Sequence, residues 1–116
     1  MQFEAQHRHY VENYRDTTYE LVLVDGEPAG RLYVARWQDE LRIVDVALLP
    51  ERRGRGVGSA LLRELIAEAE RAAKPVTIHV EHQNPALTLY RRLGFEPAGD
   101  NGPYVLMRWE PAGAAT

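Results

Sequence analysis

The residues with the clearest chemical potential form a basic, glycine-rich stretch in the middle of the 116-residue chain. It reads Leu48-Leu49-Pro50-Glu51-Arg52-Arg53-Gly54-Arg55-Gly56-Val57-Gly58-Ser59-Ala60-Leu61-Leu62. Gly54, Gly56 and Gly58 stand at alternate positions, so a ligand can approach the backbone there without meeting a Cβ atom. The apolar spacing that follows predicts a helix, whose first N–H groups lack intrahelical partners and lie at the positive end of its dipole. The stretch therefore predicts an anion site suited to phosphate.

Two common phosphate-binding loops do not fit this stretch. A Walker A loop requires Lys and Ser/Thr after its last glycine, where this chain has Ser59 and Ala60. The dinucleotide fingerprint G-x-G-x-x-G fails as well, because its third glycine falls on Ser59 when counted from Gly54 and on Leu61 when counted from Gly56. Taken alone, the stretch fits equally well a basic loop that only begins a helix.

The composition is that of one ordinary globular domain. Hydrophobic residues make up 45% of the chain, charged residues 27%, and the net charge is −3. We expect a single domain over residues 1–110 and a loose Ala/Gly-rich tail over 111–116. The acidic balance does not favour nucleic acid as a partner, and no apolar run approaches the ~20 residues that span a bilayer. Because cysteine and a signal peptide are both missing from the sequence, we predict a cytoplasmic protein without disulfides or a cysteine nucleophile.

The first half of the chain predicts a helix followed by an antiparallel meander. Apolar residues recur at helical spacing over residues 2–14 and predict an amphipathic helix. Those residues are Phe3, His7, Tyr10, Val11 and Tyr14. β-Branched and aromatic residues then predict strands over 19–24, 29–37 and 41–49, with Asp25-Gly26 as the first hairpin turn.

The second half predicts the crossover unit that would hold the glycine loop in place. A helix of four to five turns begins near Val57 and ends before Pro75, because the residue preceding proline avoids the α region. A strand over 76–80 follows, so the strand–helix–strand order predicts a parallel pair with the loop at the carboxyl end of its first strand. Asn84 is suited to cap a second helix, and a final strand spans 104–109.

A second motif makes the interpretation specific. It reads Val80-x-x-x-Asn84-x-Ala86-x-x-Leu89-Tyr90-x-x-Leu93-Gly94-Phe95, and Gly94 would end its helix so that Phe95 packs back under it. Together with Arg53-x-x-Gly56-x-Gly58, it resembles the signatures of the GNAT superfamily of acetyl-CoA-dependent N-acetyltransferases, whose pyrophosphate-binding pattern is Gln/Arg-x-x-Gly-x-Gly/Ala. The spacing between the two motifs is also that of the family.

The resemblance covers most of the chain and implies a fold. That fold is α/β (α+β), with a mixed, mostly antiparallel central sheet flanked by helices. The family normally has a strand and a helix before the segment that matches residues 2–14. We therefore expect a GNAT-like fold that lacks its first strand and helix.

The resemblance also implies a reaction and a set of site residues. It implies acetyl-CoA as cosubstrate, no metal, and transfer of the acetyl group to a primary amine by direct attack. The residues expected to bind acetyl-CoA are Ala47, Leu48, Leu49, Arg53, Gly54, Arg55, Gly56, Val57, Gly58, Ser59, Asn84 and Tyr90. From its position alone Tyr90 is a core aromatic, whereas the resemblance makes its hydroxyl the general acid for the departing thiolate. Asn84 fits either a helix cap or a contact to pantetheine.

The general base remains unassigned. The family often places a carboxylate or histidine on the strand before the loop, at positions that are here Arg42 and Val44. Asp45 is adjacent but lies on the opposite face unless a bulge turns it. A water relay to Asp45, Glu20 or Glu81 is a further possibility.

The sequence does not specify the acceptor, which the resemblance leaves as a small-molecule or peptide amine. A rival interpretation is a noncatalytic acyl-CoA-binding module with the same fold. His7, His9, His79 and His82 are not spaced as a metal site. An uncovered sheet edge and helix face near the start of the chain would favour a homodimer.

Overall fold

The computed structural model describes residues 5–11, 17–54 and 56–112, with the backbone alone for 5–11, 17, 18 and 52. Over these ranges the chain forms one seven-stranded sheet and two α-helices. The strands are β1 (Ala5–Val11), β2 (Thr17–Val24), β3 (Glu27–Arg36), β4 (Leu41–Leu48), β5 (Val76–Glu81), β6 (Glu96–Asn101) and β7 (Tyr104–Trp109). The helices are α1 (Val57–Ala72) and α2 (Ala86–Arg92), and a short 3₁₀ helix spans Pro50–Arg52.

The sheet is mixed and mostly antiparallel, as predicted. Its strand order is β1-β2-β3-β4-β5-β7-β6. β4 and β5 are parallel, whereas each other neighbouring pair in the described sheet is antiparallel. Parallel strands require a crossover connection, and α1 supplies it between β4 and β5.

The predicted helix over residues 2–14 is wrong wherever the structure describes this segment. Ala5–Val11 is a strand that pairs antiparallel with β2, from Ala5 opposite Val24 to Val11 opposite Thr18. The described sheet therefore includes a strand, β1, where a helix was expected. Residues 2–4 and 12–14 of the predicted helix lie outside the described residues. Pairing with β2 satisfies the backbone of this short segment, which outweighs a helical spacing of only a few apolar residues.

The two faces of the sheet differ. Buried apolar side chains of the central strands point to one face, where they pack in a single cluster with α1 and α2. They include Leu32, Ile43, Ile78 and Met107 from the sheet and Leu61 and Leu65 from α1. We call this the helix face. Alternate residues of the same strands point to the other side, which we call the open face because no described helix packs on it.

β6 was not predicted, and residues 111 and 112 of the predicted tail contact the rest of the fold. The six side chains of β6 are all exposed, and the strand pairs with β7 around an irregularity between Pro97 and Gly99. Pro111 is buried, and the Ala112 N–H donates to Glu70 Oε1 at 2.9 Å. Residues 113–116 of the predicted tail lie outside the described ranges. Within those ranges, no helix is long and apolar enough to cross a membrane.

Candidate active site

A gap opens between the two parallel strands at the centre of the sheet. β4 and β5 pair at Leu41–Val76, Arg42–Thr77 and Ile43–Ile78, and the pairing then stops. β4 continues along β3 as far as Leu48, while β5 continues along β7 as far as Glu81. We call the space between 44–48 and 79–81 the gap.

The pairing register shows which peptide groups of β4 line the gap. The Leu49 N–H donates to the carbonyl of Ala29 on β3 at 2.8 Å, so Leu49 and Ala29 form a hydrogen-bonded pair. Because such pairs alternate along antiparallel strands, the peptide groups of Ala47 turn towards β3 and those of Val46 and Leu48 turn towards the gap. The expected contact of Ala47 with a cosubstrate stays a prediction, and the register adds Val46, which the sequence analysis did not name.

A β-bulge settles the orientation of Asp45. Val34 pairs with Ile43 and Tyr33 pairs with Asp45, so Val44 is the extra residue on β4. Val44 is 56% exposed. The bulge turns Asp45 onto the open face, which is the condition that the sequence analysis had set. There the Arg31 Nε donates to Asp45 Oδ2 at 2.7 Å, and this ion pair raises the pKa of Arg31.

The glycine loop leaves its backbone accessible at the start of α1. Gly54 and Gly56 have φ of 73° and 80°, in the left-handed region that favours glycine, and Gly54 has free space where a Cβ would stand. The Ala60 N–H is bonded to the Gly56 carbonyl at 3.0 Å. The three preceding N–H groups, of residues 57–59, have no recorded acceptor in the described part of the chain.

Arg53 is the loop arginine whose side chain the structure describes. The Arg53 side chain is exposed, and its Nε donates to the Leu48 carbonyl at 3.2 Å, across the mouth of the gap. Arg55 and the side chain of Arg52 lie outside what the structure describes. Exposed guanidinium groups are screened by salt, so the oriented N–H groups are the stronger anion-binding feature of this loop.

Tyr90 is held on α2 by the end of its own helix. Gly94 has φ of 102° and ends the helix, and the Phe95 N–H donates to the Tyr90 carbonyl at 3.0 Å, as predicted for this motif. Phe95 then packs its ring edge against Tyr90, with ring centroids 5.5 Å apart. This local closure fixes the tyrosine ring within the core cluster of the helix face.

The Tyr90 side chain is buried, and its hydroxyl has no hydrogen-bond partner among the described residues. The residue is 4% exposed, and no described residue forms a hydrogen bond with its side chain. Burial raises the pKa of Tyr90 to about 12, so the hydroxyl keeps its proton at neutral pH. A buried polar group normally has a partner, so this one fits a ligand atom that accepts a hydrogen bond.

Asn84 caps α2, one of its two predicted roles. Its Oδ1 accepts a hydrogen bond from the Ala86 N–H at 2.9 Å, while Pro85 adopts a helical conformation between them. The cap uses the carbonyl oxygen of the side-chain amide. Its NH₂ group has no recorded partner in the described ranges, so a ligand contact by Asn84 stays a prediction.

Arg42 lies on the open face where the pairing of β4 and β5 ends and the gap begins. Its Nε donates to Thr77 Oγ1 at 2.7 Å, one terminal nitrogen donates to Glu40 Oε2 at 3.2 Å, and the other lies 3.4 Å from His79 Nδ1. The guanidinium also lies 5.1 Å from the ring centroid of Trp37. With these contacts, Arg42 fastens β4 to β5 where their pairing ends.

His79 and Glu81 flank the gap from the β5 side. Both are exposed on the open face, just beyond the last paired residue, and the sequence analysis did not connect His79 with the reaction. The signal was available in the alternation of β5, where Thr77, His79 and Glu81 share one face and the buried Ile78 and Val80 share the other.

Glu20 belongs to a different environment. It is 2% exposed on the helix face, with Arg36 at 3.3 Å from its Oε1. Arg36 also donates to Glu68 of α1 at 2.7 Å, and these carboxylates raise the pKa of Arg36. The sheet thus separates Glu20 from Asp45 and Glu81. No three His, Asp or Glu side chains among the residues described are grouped so that they could hold a metal ion.

The residues present fit acetyl-CoA. The loop offers N–H groups without a described acceptor for a pyrophosphate, the gap offers peptide groups along one edge, and Tyr90 offers a hydroxyl without a partner among the described residues. A thioester-linked nucleotide has groups that match each of these three features.

Comparison with known proteins supports this interpretation. Residues 14–97 match the model of the acetyltransferase (GNAT) domain. The chain is 32% identical over 102 residues to a protein of Bacillus subtilis described as a ribosomal protein bS18-alanine N-acetyltransferase, covering 78% of this chain and 66% of that protein. It is 37% identical over 86 residues to the streptothricin acetyltransferase of Streptomyces lavendulae, covering 71% of this chain and 46% of that protein.

Solved structures share the fold. The PaiA N-acetyltransferase of Thermoplasma acidophilum, determined in complex with coenzyme A, superposes with a TM-score of 0.74 at 18% identity. The match covers 82% of this chain and 61% of that chain. The chain thus spans only about half to two-thirds of the length of the relatives named here.

Proposed function

Because the chain belongs to the GNAT acetyltransferase family, we propose that it transfers the acetyl group of acetyl-CoA to a primary amine by direct attack. The observation that carries this proposal is the Tyr90 hydroxyl, which is buried, protonated and without a partner in the described structure. A proton donor at that place suits a catalytic site, because it can protonate the departing thiolate.

Acetyl-CoA supplies the activated acetyl group as a thioester. The N–H groups of residues 57–59 bind its pyrophosphate, together with the accessible backbone at Gly54 and Gly56. The peptide groups of Val46 and Leu48 bind along pantetheine, and one N–H at the gap polarises the thioester carbonyl as negative charge develops on its oxygen. The amide NH₂ of Asn84, which has no partner among the described residues, is a further donor.

The acceptor approaches from the open face, because α1 and α2 fill the helix face. Its nitrogen forms the new C–N bond as the C–S bond breaks. Tyr90 donates its proton to the departing thiolate and is reprotonated from solvent. The amine passes its proton through water to Asp45 or Glu81, both of which lie on the open face. Positioning of the two substrates supplies much of the rate.

The acceptor is the amine of a small molecule or a peptide. The names of the two relatives give a ribosomal protein alanine and an antibiotic, so close similarity within this family does not fix the acceptor. A homodimer and a cytoplasmic location stay predictions. β1 and β6 are the outer strands of the described sheet, and light scattering would show whether one of them pairs with a second copy.

The experiment that tests the proposed function is an acceptor screen. Purified protein is incubated with acetyl-CoA and a panel of amines and peptides, and the products are analysed by mass spectrometry. A product that gains one acetyl group only with enzyme supports the proposal. Binding of acetyl-CoA without acetylation of any acceptor supports the rival, a noncatalytic acyl-CoA-binding module.

A further inference from the structure

We propose that the acceptor is a monoamine with an apolar body, and that this body binds in a depression on the open face beside the gap. The inference rests on the proposed acetyl transfer. It concerns which amines the protein accepts.

The depression lies across β2, β3 and the end of β4. Its volume is about 320 Å³, and its lining is mainly apolar. The side chains that define it are Tyr19, Leu21, Pro28 and Ala47, with Arg31 at one side. Ligand pockets for small molecules begin at roughly this volume, so the depression suits a ring or short alkyl chain rather than a large substrate.

The pairing register explains why these residues come together. Leu21, Arg31 and Ala47 lie opposite one another across the three strands. Tyr19 and Tyr33 lie opposite one another in the next row, with their rings edge to face at 5.5 Å. These two rows place apolar and aromatic side chains on a face of the sheet that no described helix covers.

The depression borders the gap. Ala47 and Leu48 line the depression, and both lie on β4 beyond Ile43, the last residue of β4 that pairs with β5. A molecule in the depression therefore reaches the gap along β4. Asp45 lies two residues before Ala47 on the same face, so a proton lost by the acceptor's ammonium group can pass through water to its carboxylate.

The charges select against acceptors with several positive groups. Arg31 is the one charged side chain among the described residues that line the depression, and its partner is Asp45. A second ammonium group placed in the depression would meet this guanidinium, whose carboxylate partner is already engaged. The lining therefore favours monoamines with an apolar body over polyamines and over small hydrophilic amines.

The test compares three amines and two variants. Phenethylamine, ethanolamine and spermidine are supplied with acetyl-CoA, and CoA release is measured. We expect kcat/KM for phenethylamine to exceed the other two values by roughly tenfold or more. Leu21→Lys should abolish this preference, because it places a cation in the depression. Leu23→Lys is the matched control, since Leu23 lies on the same strand outside the lining and should leave the preference intact. Equal kcat/KM values for the three amines, or an unchanged preference in the folded Leu21→Lys variant, would overturn the inference.

A binding measurement separates this inference from the proposed function. Methyl-group NMR spectra of the wild-type protein are recorded during titration with phenethylamine in the absence of acetyl-CoA. Larger shifts at Leu21 than at Leu23 would support binding in the depression, whether or not any amine is acetylated. If binding is seen and no amine is acetylated, only the proposed acetyl transfer is contradicted. Acetylation of phenethylamine without selective shifts at Leu21 would reject the depression and leave acetyl transfer standing.

Discussion

Ile43 and Ile78 form the last pair between β4 and β5, and the gap opens directly beyond them. Both side chains are buried in the helix-face cluster, so the point of separation is anchored in the core. The glycine loop follows β4 and the Asn84–Tyr90 segment follows β5. Two motifs that are distant in sequence are therefore brought to the same end of two diverging strands, which is where a ligand of a parallel pair is expected.

Gly56→Val should remove coenzyme A binding without unfolding the protein. Gly56 has φ of 80°, and a branched residue there would displace the backbone that precedes the free N–H groups of α1. At a hundredfold excess over its Kd, coenzyme A should raise the free energy of unfolding of the wild type by about 2.7 kcal/mol. Calorimetric and denaturant titrations of the variant should show no such gain.

Gly102→Val is the matched control for this substitution. Gly102 also has a positive φ, of 64°, but lies in the turn between β6 and β7 with free space around it. Both variants carry a similar backbone strain, so only the loop variant should lose the ligand effect. Undiminished coenzyme A affinity in folded Gly56→Val protein would reject the assignment of the loop.

Tyr90→Phe should lower turnover while leaving the fold and cosubstrate binding nearly intact. The hydroxyl has no hydrogen bond with a described residue, so its removal costs no native contact there. Loss of the proton donor should reduce kcat on the order of 10²-fold under conditions in which chemistry limits the rate. Tyr104→Phe, at an exposed position of β7, is the control. A Tyr90→Phe enzyme as fast as its parent would make Tyr90 a core residue only.

The raised pKa of Tyr90 predicts a dependence of stability on alkaline pH. Burial raises the pKa from 10.0 to about 12, so the folded state holds this proton over a range in which the unfolded state releases it. The contribution of Tyr90 is thus complete below pH ~10 and is lost as the pH rises to ~12, by about 2 to 3 kcal/mol. Denaturant unfolding between these pH values should show that Tyr90→Phe loses less stability than the wild type. Parallel losses in the two proteins would contradict the assigned burial effect.

The sequence predicted the elements that its own residues define. Helix α1, strands β2 to β5 and β7, and the end of α2 at Gly94 all carry a clear periodicity or a stop signal, and all are present. The resemblance to the GNAT family is confirmed by the match over residues 14–97. These elements also carry the loop and Tyr90, so most of the candidate site could be placed before the structure was known.

The errors fall on segments whose structure depends on a neighbouring strand. β1 was predicted as a helix because its few apolar residues also fit helical spacing, and its pairing with β2 decides the outcome. β6 contains proline, glycine, aspartate and asparagine, which are poor strand formers, and all its side chains are exposed. Only its pairing with β7 makes it a strand. The face on which Asp45 lies could likewise be predicted only conditionally. It depends on the bulge at Val44, and a one-residue change of register is determined by how two strands pair.

The final prediction concerns the carboxylate that receives the acceptor's proton. Asp45 and Glu81 lie on the open face, on either side of the gap, whereas Glu20 is buried on the helix face beside Arg36. We expect Asp45→Asn or Glu81→Gln to lower kcat by at least tenfold, in line with the usual contribution of a general base. The effect should be largest at low pH, where less of the amine is already deprotonated.

Glu20→Gln is the control on the other side of the sheet. This change removes a buried charge from the contact with Arg36, so it should alter the free energy of unfolding. It should leave the kcat of the folded fraction and its pH profile unchanged, because the sheet separates Glu20 from the approaching amine. Steady-state rates over a pH series, corrected for the folded fraction, provide the measurement. A loss of turnover in Glu20→Gln that exceeds the losses in both open-face variants would place the acceptor on the helix face and reverse the proposed direction of attack.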